Sequence, residues 1–173
     1  MELHLLPSLA VYHKRVLKNC DVKQAFVQAA LPDDEVYFLK PTPGFSRSKP
    51  GEYWCLLQSL YGLKCASRLW FEKMKTFLLS LGLCSCENHP CLFIGTLIDG
   101  DAPIYIGLYV NDLIYFSPSD SVEQKFETLL SQLVQVEFMG QVTHFLGIEF
   151  SWQFHDDGHL YPSVLHNNPL QRI

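Results

Sequence analysis

The amino-acid sequence predicts an α+β fold, a mixed or antiparallel sheet with helices packed on one face. Three observations carry that expectation. Strand-length runs rich in β-branched and aromatic residues recur along the chain, and the longest, Ile104 to Phe116, reads as a buried hairpin with the polar pair Asn111-Asp112 at its tip. Segments with helical spacing separate these runs, the clearest from Ala66 to Leu81. The order is helix, strand with acid, short helix, two strands, long helix, two or three strands with acid, helix, strands, which suits one sheet backed by helices.

Taken in order, Pro7 suits the first position of a helix whose apolar stripe uses Leu6, Leu9, Ala10 and Val16-Leu17, with Lys14 and Arg15 facing away. Cys20-Asp21-Val22 ends a strand, and Lys23 to Phe26 passes into a helical turn. Leu31 to Asp34 is a turn, Glu35 to Leu39 a strand, Pro41 to Gly51 a breaker-rich loop exposing Arg47 and Lys49, and Tyr53 to Leu57 a second strand. In the long helix Leu69, Trp70, Met74, Phe77, Leu78 and Leu81 share a side, and Gly82 stops it. Cys91 to Ile98 reads as a strand and Asp99-Gly100-Asp101 as a turn leading into the hairpin. Ser117 to Asp120 caps a helix from about Ser121 to Leu133, with Glu123 completing the capping pattern. Val136 to Phe138 is a short strand ending at Gly140. Beyond it, His144 to Phe150 and His159 to Tyr161 flank a turn at His155 to Gly158, and the tail from His166 frays.

At 173 residues, 48% hydrophobic and 13% aromatic, the chain has enough apolar material for the core of one domain. The formal charge of −5 argues against a protein that coats nucleic acid, but it is unevenly spread. Met1 to Lys75 holds eleven Lys and Arg against seven Asp and Glu, and the rest holds two against eleven. A polyanion therefore prefers the first half, and divalent cations the second. The apolar runs fall short of the roughly 20 residues that span a bilayer, and Met1 to Pro7 lacks a basic signal region, so an intracellular place, cytoplasm or nucleus, is expected. Six cysteines suit free thiols in a reducing compartment, although Cys84, Cys86, His89 and Cys91 leave a zinc reading open.

A carboxylate at a tight hairpin tip needs a cation, a hydrogen-bond donor or solvent. Asp21 ends one apolar strand and Asp112 tips another, so both are able to meet at the middle of a sheet. Two carboxylates converging beside a basic surface are the minimum for holding Mg²⁺, which is small and hard and takes oxygen ligands.

Five strings, in order, resemble the reverse transcriptase domain of copia-type LTR retrotransposons. They are Asp21-Val22-Lys23-Gln24-Ala25-Phe26; Glu35-Val36-Tyr37 with Pro43-Gly44-Phe45; Ser59-Leu60-Tyr61-Gly62-Leu63-Lys64 with Trp70-Phe71-Glu72-Lys73; Tyr109-Val110-Asn111-Asp112; and Phe145-Leu146-Gly147-Ile148-Glu149. The resemblance implies a polymerase palm with partial fingers over residues 1–165 and a tail over 166–173. It also implies Mg²⁺, two ions in the family, as cofactor, and RNA template, DNA primer and deoxynucleotide as partners. Under it Asp21 is the first metal-binding aspartate, Phe26 the aromatic that crowds a ribose 2′-hydroxyl, and Tyr61 with Gly62 the segment beneath nucleotide and template. Lys64 and Arg68, which are otherwise ordinary solvated charges, suit phosphate, and Phe145, Leu146 and Gly147 grip the primer end.

Two departures stand out. The family's hairpin tip reads Tyr-x-Asp-Asp, and Asn111 takes the place of its first aspartate, the second shared metal ligand, leaving Asp112 as the lesser partner. An amide still offers a carbonyl oxygen but no charge, and the loss of one anionic ligand is expected to cost on the order of a hundredfold or more in rate. The family's domain also extends before the position of Met1 and past that of Ile173, so the resemblance describes a palm-centred fragment. Two other functions stay open: a non-catalytic remnant that keeps the fold, and an RNA-recognition sheet that stacks bases on exposed aromatics. Nothing in the sequence sets an oligomeric state.

Overall fold

The computed structural model describes residues 5–42, 44, 49, 51–154 and 160–166. Of the expected features, Pro43, Phe45, Arg47, the turn at His155 to Gly158 and the tail past His166 lie outside the described residues. The chain divides into two compact units, Gln24–Thr76 and the residues on either side of it.

The flanking unit is built on a six-stranded sheet. Its strands are β1 (Lys18–Val22), β4 (Cys84–Cys86), β5 (His89–Gly95), β6 (Ile104–Tyr109), β7 (Asp112–Phe116) and β8 (Val136–Gln141), in the order β4-β5-β6-β7-β1-β8. Each neighbouring pair is antiparallel. Strands β7 and β8 therefore run the same way with β1 between them, and helix α3 (Asp120–Leu133) makes the crossover. This split β-α-β arrangement places the first strand of the chain inside the sheet, one position from its edge.

The run from Ile104 to Phe116 is apolar on both faces, and both faces are covered. On one face Tyr115 meets Phe126 of α3 edge to face at 5.1 Å, and its hydroxyl donates to Glu127 at 2.8 Å. On the other, Leu92, Ile114 and Phe116 form a core with Leu6 and Ala10 of α1 (Leu5–Tyr12), Leu17, Val142, Phe145 and Phe150. Helices thus lie on both faces, not one as expected. The cause is in β7, where Tyr115 and its neighbours Ile114 and Phe116 are all fully buried although a strand points them to opposite sides. Phe145 and Phe150 come from a second sheet, β11-β10-β9, made of β9 (His144–Phe145), β10 (Ile148–Phe154) and β11 (Leu160–His166). The expected segment from His144 to Phe150 is therefore two strands folded at Leu146-Gly147, and the strand β11 runs to His166.

Helix α1 starts before Pro7 and stops at Tyr12, because Lys14 takes a left-handed φ of 56° and turns the chain towards β1. Arg15, expected to face away, pairs with Asp120 and Glu123. Helix α3 begins at Asp120 behind Ser119, which makes no side-chain cap. Glu123 accepts the Ser117 N–H at 2.9 Å and faces Lys18 at 2.8 Å, so it anchors β1 to α3 instead of closing a capping box. Strand β4 had no signal of its own, since Cys84-Ser85-Cys86 is too short to show a period and has no β-branched residue. Strand β8 extends to Gln141 through a bulge opposite Asn19 and Cys20, where Gly140 has φ +76°.

In the unit Gln24–Thr76, a 3-10 turn (Ala25–Gln28) leads to the ribbon β2 (Phe38–Leu39) and β3 (Trp54–Cys55). Both strands are shorter than expected. Glu35 and Tyr37 are tied instead into a polar cluster in which the Tyr37 hydroxyl donates to Glu35 at 3.0 Å and lies 3.5 Å from the Cys65 sulfur. Helix α2 (Ala66–Ser80) crosses from this unit into the other. Trp70, Met74 and Leu78, four residues apart, are completely buried along it, and Gly82 at φ +82° ends it as expected.

Candidate active site

Strands β1 and β7 bring the two predicted aspartates together. Asp21 and Asp112 are direct cross-strand partners, so their side chains leave the same face of the sheet. Both are half-buried. Burial, and after it the negative charge of Asp21, pushes the Asp112 carboxyl above its ordinary value. The same region pushes the buried thiol of Cys20 up to about 12, chiefly through burial.

Asn111 occupies the turn between β6 and β7, where Tyr109 pairs with Asp112 across a two-residue loop. The left-handed residue of that loop is Val110, with φ 54°. A positive φ at the first central position is the type II′ pattern, which favours glycine, and a β-branched residue there costs about 1–3 kcal/mol. The turn is latched to β1 twice. The Val22 N–H donates to the Asn111 carbonyl at 2.9 Å, and the Asn111 side-chain Nδ2 donates to Asp21 Oδ1 at 2.6 Å.

A lysine and a third carboxylate complete the surroundings. Glu137 of β8 is the register partner of Asp21 on its other side, so Asp112, Asp21 and Glu137 form a row across three strands. Lys23 Nζ ion-pairs with Glu137 and lies 3.7 Å from Asp21. Neither Lys23 nor Glu137 was singled out from the sequence. The missing signal is the long crossover that lays β8 beside β1, which has no local mark.

The donor set suits a hard cation: two carboxylates offer oxygen, beside an amide that turns its NH2 to Asp21. The two carboxylates sit side by side on adjacent strands, and a bound cation relieves the repulsion that, after burial, raises the Asp112 carboxyl. Among the described residues, no three His, Cys, Asp or Glu side chains converge on one point, at this site or at Cys84, Cys86, His89 and Cys91. The cysteines are free thiols. No helix among the described residues is long and apolar enough to cross a membrane.

The remaining predicted residues fall into two groups, one in each unit. In the unit Gln24–Thr76, the rings of Phe26 and Tyr61 lie 4.9 Å apart, Tyr61 is exposed, and Gly62 has φ +97°, open to solvent where a side chain would begin. Lys64 and Arg68 are exposed, and Arg68 donates to Glu35 at 2.8 Å. In the other unit, Phe145 is buried in the core, while Leu146 (φ 50°) and Gly147 (φ 77°) form the exposed tip of the β9-β10 hairpin.

Comparison with known proteins points the same way. Residues 1–159 match the profile of a family described as reverse transcriptase (RNA-dependent DNA polymerase). The chain is similar to the putative transposon Ty5-1 protein of Saccharomyces cerevisiae, 35% identical over 129 residues, 74% of this chain and 41% of that protein. It is also similar to the retrovirus-related Pol polyproteins from transposons RE1 and RE2 of Arabidopsis thaliana. The identity is 32% over 148 residues for RE1 and 35% over 150 residues for RE2, in each case 85% of this chain and 10% of the polyprotein. The chain thus spans less than half of the first relative and a tenth of the other two.

Proposed function

The chain belongs to the reverse transcriptase (RNA-dependent DNA polymerase) family, in its copia-type retrotransposon branch, and we propose that it carries the palm of an RNA-templated DNA polymerase whose turnover is limited by Asn111. The observation that carries this reading is the register of β1 against β7, which sets Asp21 directly opposite Asp112. Asp21 and Asp112 are the residues that would hold Mg²⁺. When bound, Mg²⁺ neutralises a nucleotide's phosphates and lowers the pKa of an attacking hydroxyl.

The chain's own residues do the rest. Phe26, braced by Tyr61, narrows the place of a ribose 2′-hydroxyl and so favours deoxynucleotides. Gly62, with no side chain, allows a base or backbone to approach closely. Lys64, and Arg68 once it leaves Glu35, contact phosphates of template or primer. Leu146 and Gly147 present an exposed tip to the primer strand. Asn111 works against turnover, because its amide donates a hydrogen bond to Asp21 where the family brings a negative charge.

That last contact also favours the second reading, a non-catalytic remnant that retains the fold. The RNA-recognition reading fares less well, because carboxylates line the sheet face where bases would stack. Primer extension on an RNA template with Mg²⁺ separates the first two. Asn111→Asp is expected to extend about a hundredfold faster than the wild type, and Asp21→Ala to abolish extension. Equal, robust extension by wild type and Asn111→Asp overturns the role given to Asn111. No extension by a folded Asn111→Asp overturns the polymerase reading for this length of chain.

A further inference from the structure

The row Asp112, Asp21, Glu137 is one of like charges on adjacent strands, an arrangement that destabilises a sheet unless something neutralises it. Two groups of the chain do so. Asn111 donates to Asp21 Oδ1, and Lys23, the second residue after Asp21, brings its ammonium between Asp21 Oδ2 and Glu137 Oε2. The two oxygens of Asp21 are thereby divided, one to a neutral donor and one to a cation. The backbone fixes this division, since the Val22 N–H is bonded to Asn111 and the Lys23 N–H to the carbonyl of Gln135, at 2.9 Å each. Lys23 leaves the sheet between the turn and β8 and has only a short reach to either acid. Glu137 is the more exposed of the two, with 58% of its side chain open against 22% for Asp21.

We propose that Lys23 is a built-in counter-cation of the candidate metal site, competing with a divalent cation for Asp21, and that Glu137 is the positioning residue that draws its ammonium aside. This rests on the reading of Asp21 as a metal-holding residue. A divalent cation must displace the ammonium from Asp21 Oδ2, and Glu137 gives the ammonium a place to go. Glu137 stays outside the donor set: three carboxylates do not converge, and Lys23 holds Glu137 by the closer of its two contacts.

The test is Mn²⁺ binding to the full chain, read by the loss of the free-ion electron paramagnetic resonance signal. Lys23→Gln is expected to bind Mn²⁺ about fivefold more tightly, the size for a half-exposed charge pair, and Lys23→Arg to stay at the wild-type value. Glu137→Gln is expected to weaken binding by a similar factor, since the ammonium then rests on Asp21 alone. The double variant Lys23→Gln/Glu137→Gln should match Lys23→Gln, because Glu137 acts only through Lys23. A second readout needs no binding signal: in EDTA, Lys23→Gln melts below the wild type, and saturating Mn²⁺ raises it by more degrees.

Unchanged or weaker Mn²⁺ affinity in Lys23→Gln overturns the proposal. A Glu137→Gln effect that persists in the double variant overturns the role of Glu137, since it makes Glu137 a ligand. Asp21→Asn distinguishes the two levels. If it binds Mn²⁺ as the wild type does, the metal-site reading itself fails. If it loses binding while Lys23→Gln is unchanged, only the counter-cation fails.

Discussion

Replacing Asn111 with aspartate should make the protein less stable without divalent cations and much more responsive to them. The structure sets the size of both effects. The substitution deletes the 2.6 Å hydrogen bond to Asp21, a bond to a charged acceptor that is worth about 1.5–3 kcal/mol, and the partly open site puts it near 2 kcal/mol. It also adds a negative charge beside Asp21 and Asp112, which costs on the order of 1 kcal/mol at this level of solvent exposure. The backbone bond from Val22 to residue 111 remains, so the turn keeps its place. The total, about 3 kcal/mol, lowers the melting temperature by roughly 6–12 °C for a chain of this size.

Divalent cations reverse the loss. At a hundred times its dissociation constant, a bound ion stabilises the folded state by about 2.7 kcal/mol, nearly the whole deficit. Melting curves in EDTA and in a Mg²⁺ series, for wild type and Asn111→Asp, make the measurement. Asn111→Asp should melt well below the wild type in EDTA and approach it as Mg²⁺ rises, while the wild type moves little. If the two melt together in EDTA, or if Mg²⁺ raises both equally, the amide is not the donor that neutralises Asp21 and the reasoning fails.

Two further predictions test the framework around the site. Glu123 is buried, yet it meets Lys18, Arg15 and the Ser117 N–H, so Glu123→Gln should cost about 2 kcal/mol, below the usual figure for breaking a buried pair because both cations are part-exposed. In urea the midpoint should fall by roughly 1 M, whereas the exposed Asp120→Asn should stay within about 0.5 kcal/mol of the wild type; equal effects would refute the anchoring role of Glu123. The Cys20 thiol, pushed from 9.0 to about 12 by burial, gives a pH prediction. The unfolded chain releases this proton above pH 9 while the folded chain holds it to about 12, so the unfolded state binds fewer protons and stability falls as pH rises across that window. Cys20→Ala should flatten that alkaline decline, and an unchanged slope measured by chemical denaturation would count against it.

Much of the candidate site was legible in the sequence because its parts have local signatures. The hairpin from Ile104 to Phe116, the acids at the ends of β1 and β7, and the glycine stop of α2 each depend on residues close together in the chain. What it hid is non-local. Whether one face or both of β6 and β7 is covered depends on α1 and the β9-β11 sheet, which reach them from opposite ends of the chain. Glu123 looked like half of a capping box because a local partner was in view, and Lys18 and Arg15, more than a hundred positions away, were not. Glu137 is invisible for the same reason: only the insertion of β1 between β7 and β8 makes it a neighbour of Asp21.

Asn111 shows how a residue can fit its local setting and still be there for another reason. Asparagine in a two-residue hairpin turn is ordinarily explained by its tolerance of positive φ. Here Val110 takes the positive φ, and the turn pays that strain with a β-branched residue beside an asparagine that would bear it more cheaply. The backbone preference of asparagine therefore does not explain its position. Its side chain does, because the amide meets Asp21 as a donor. With Lys23 on the second oxygen, both oxygens of Asp21 are satisfied from within the chain. A polymerase site stores repulsion between its carboxylates and releases it to the cation. On the proposed reading, this site has spent that repulsion on its own hydrogen bonds, which stabilises the metal-free fold and would weaken its hold on a divalent cation.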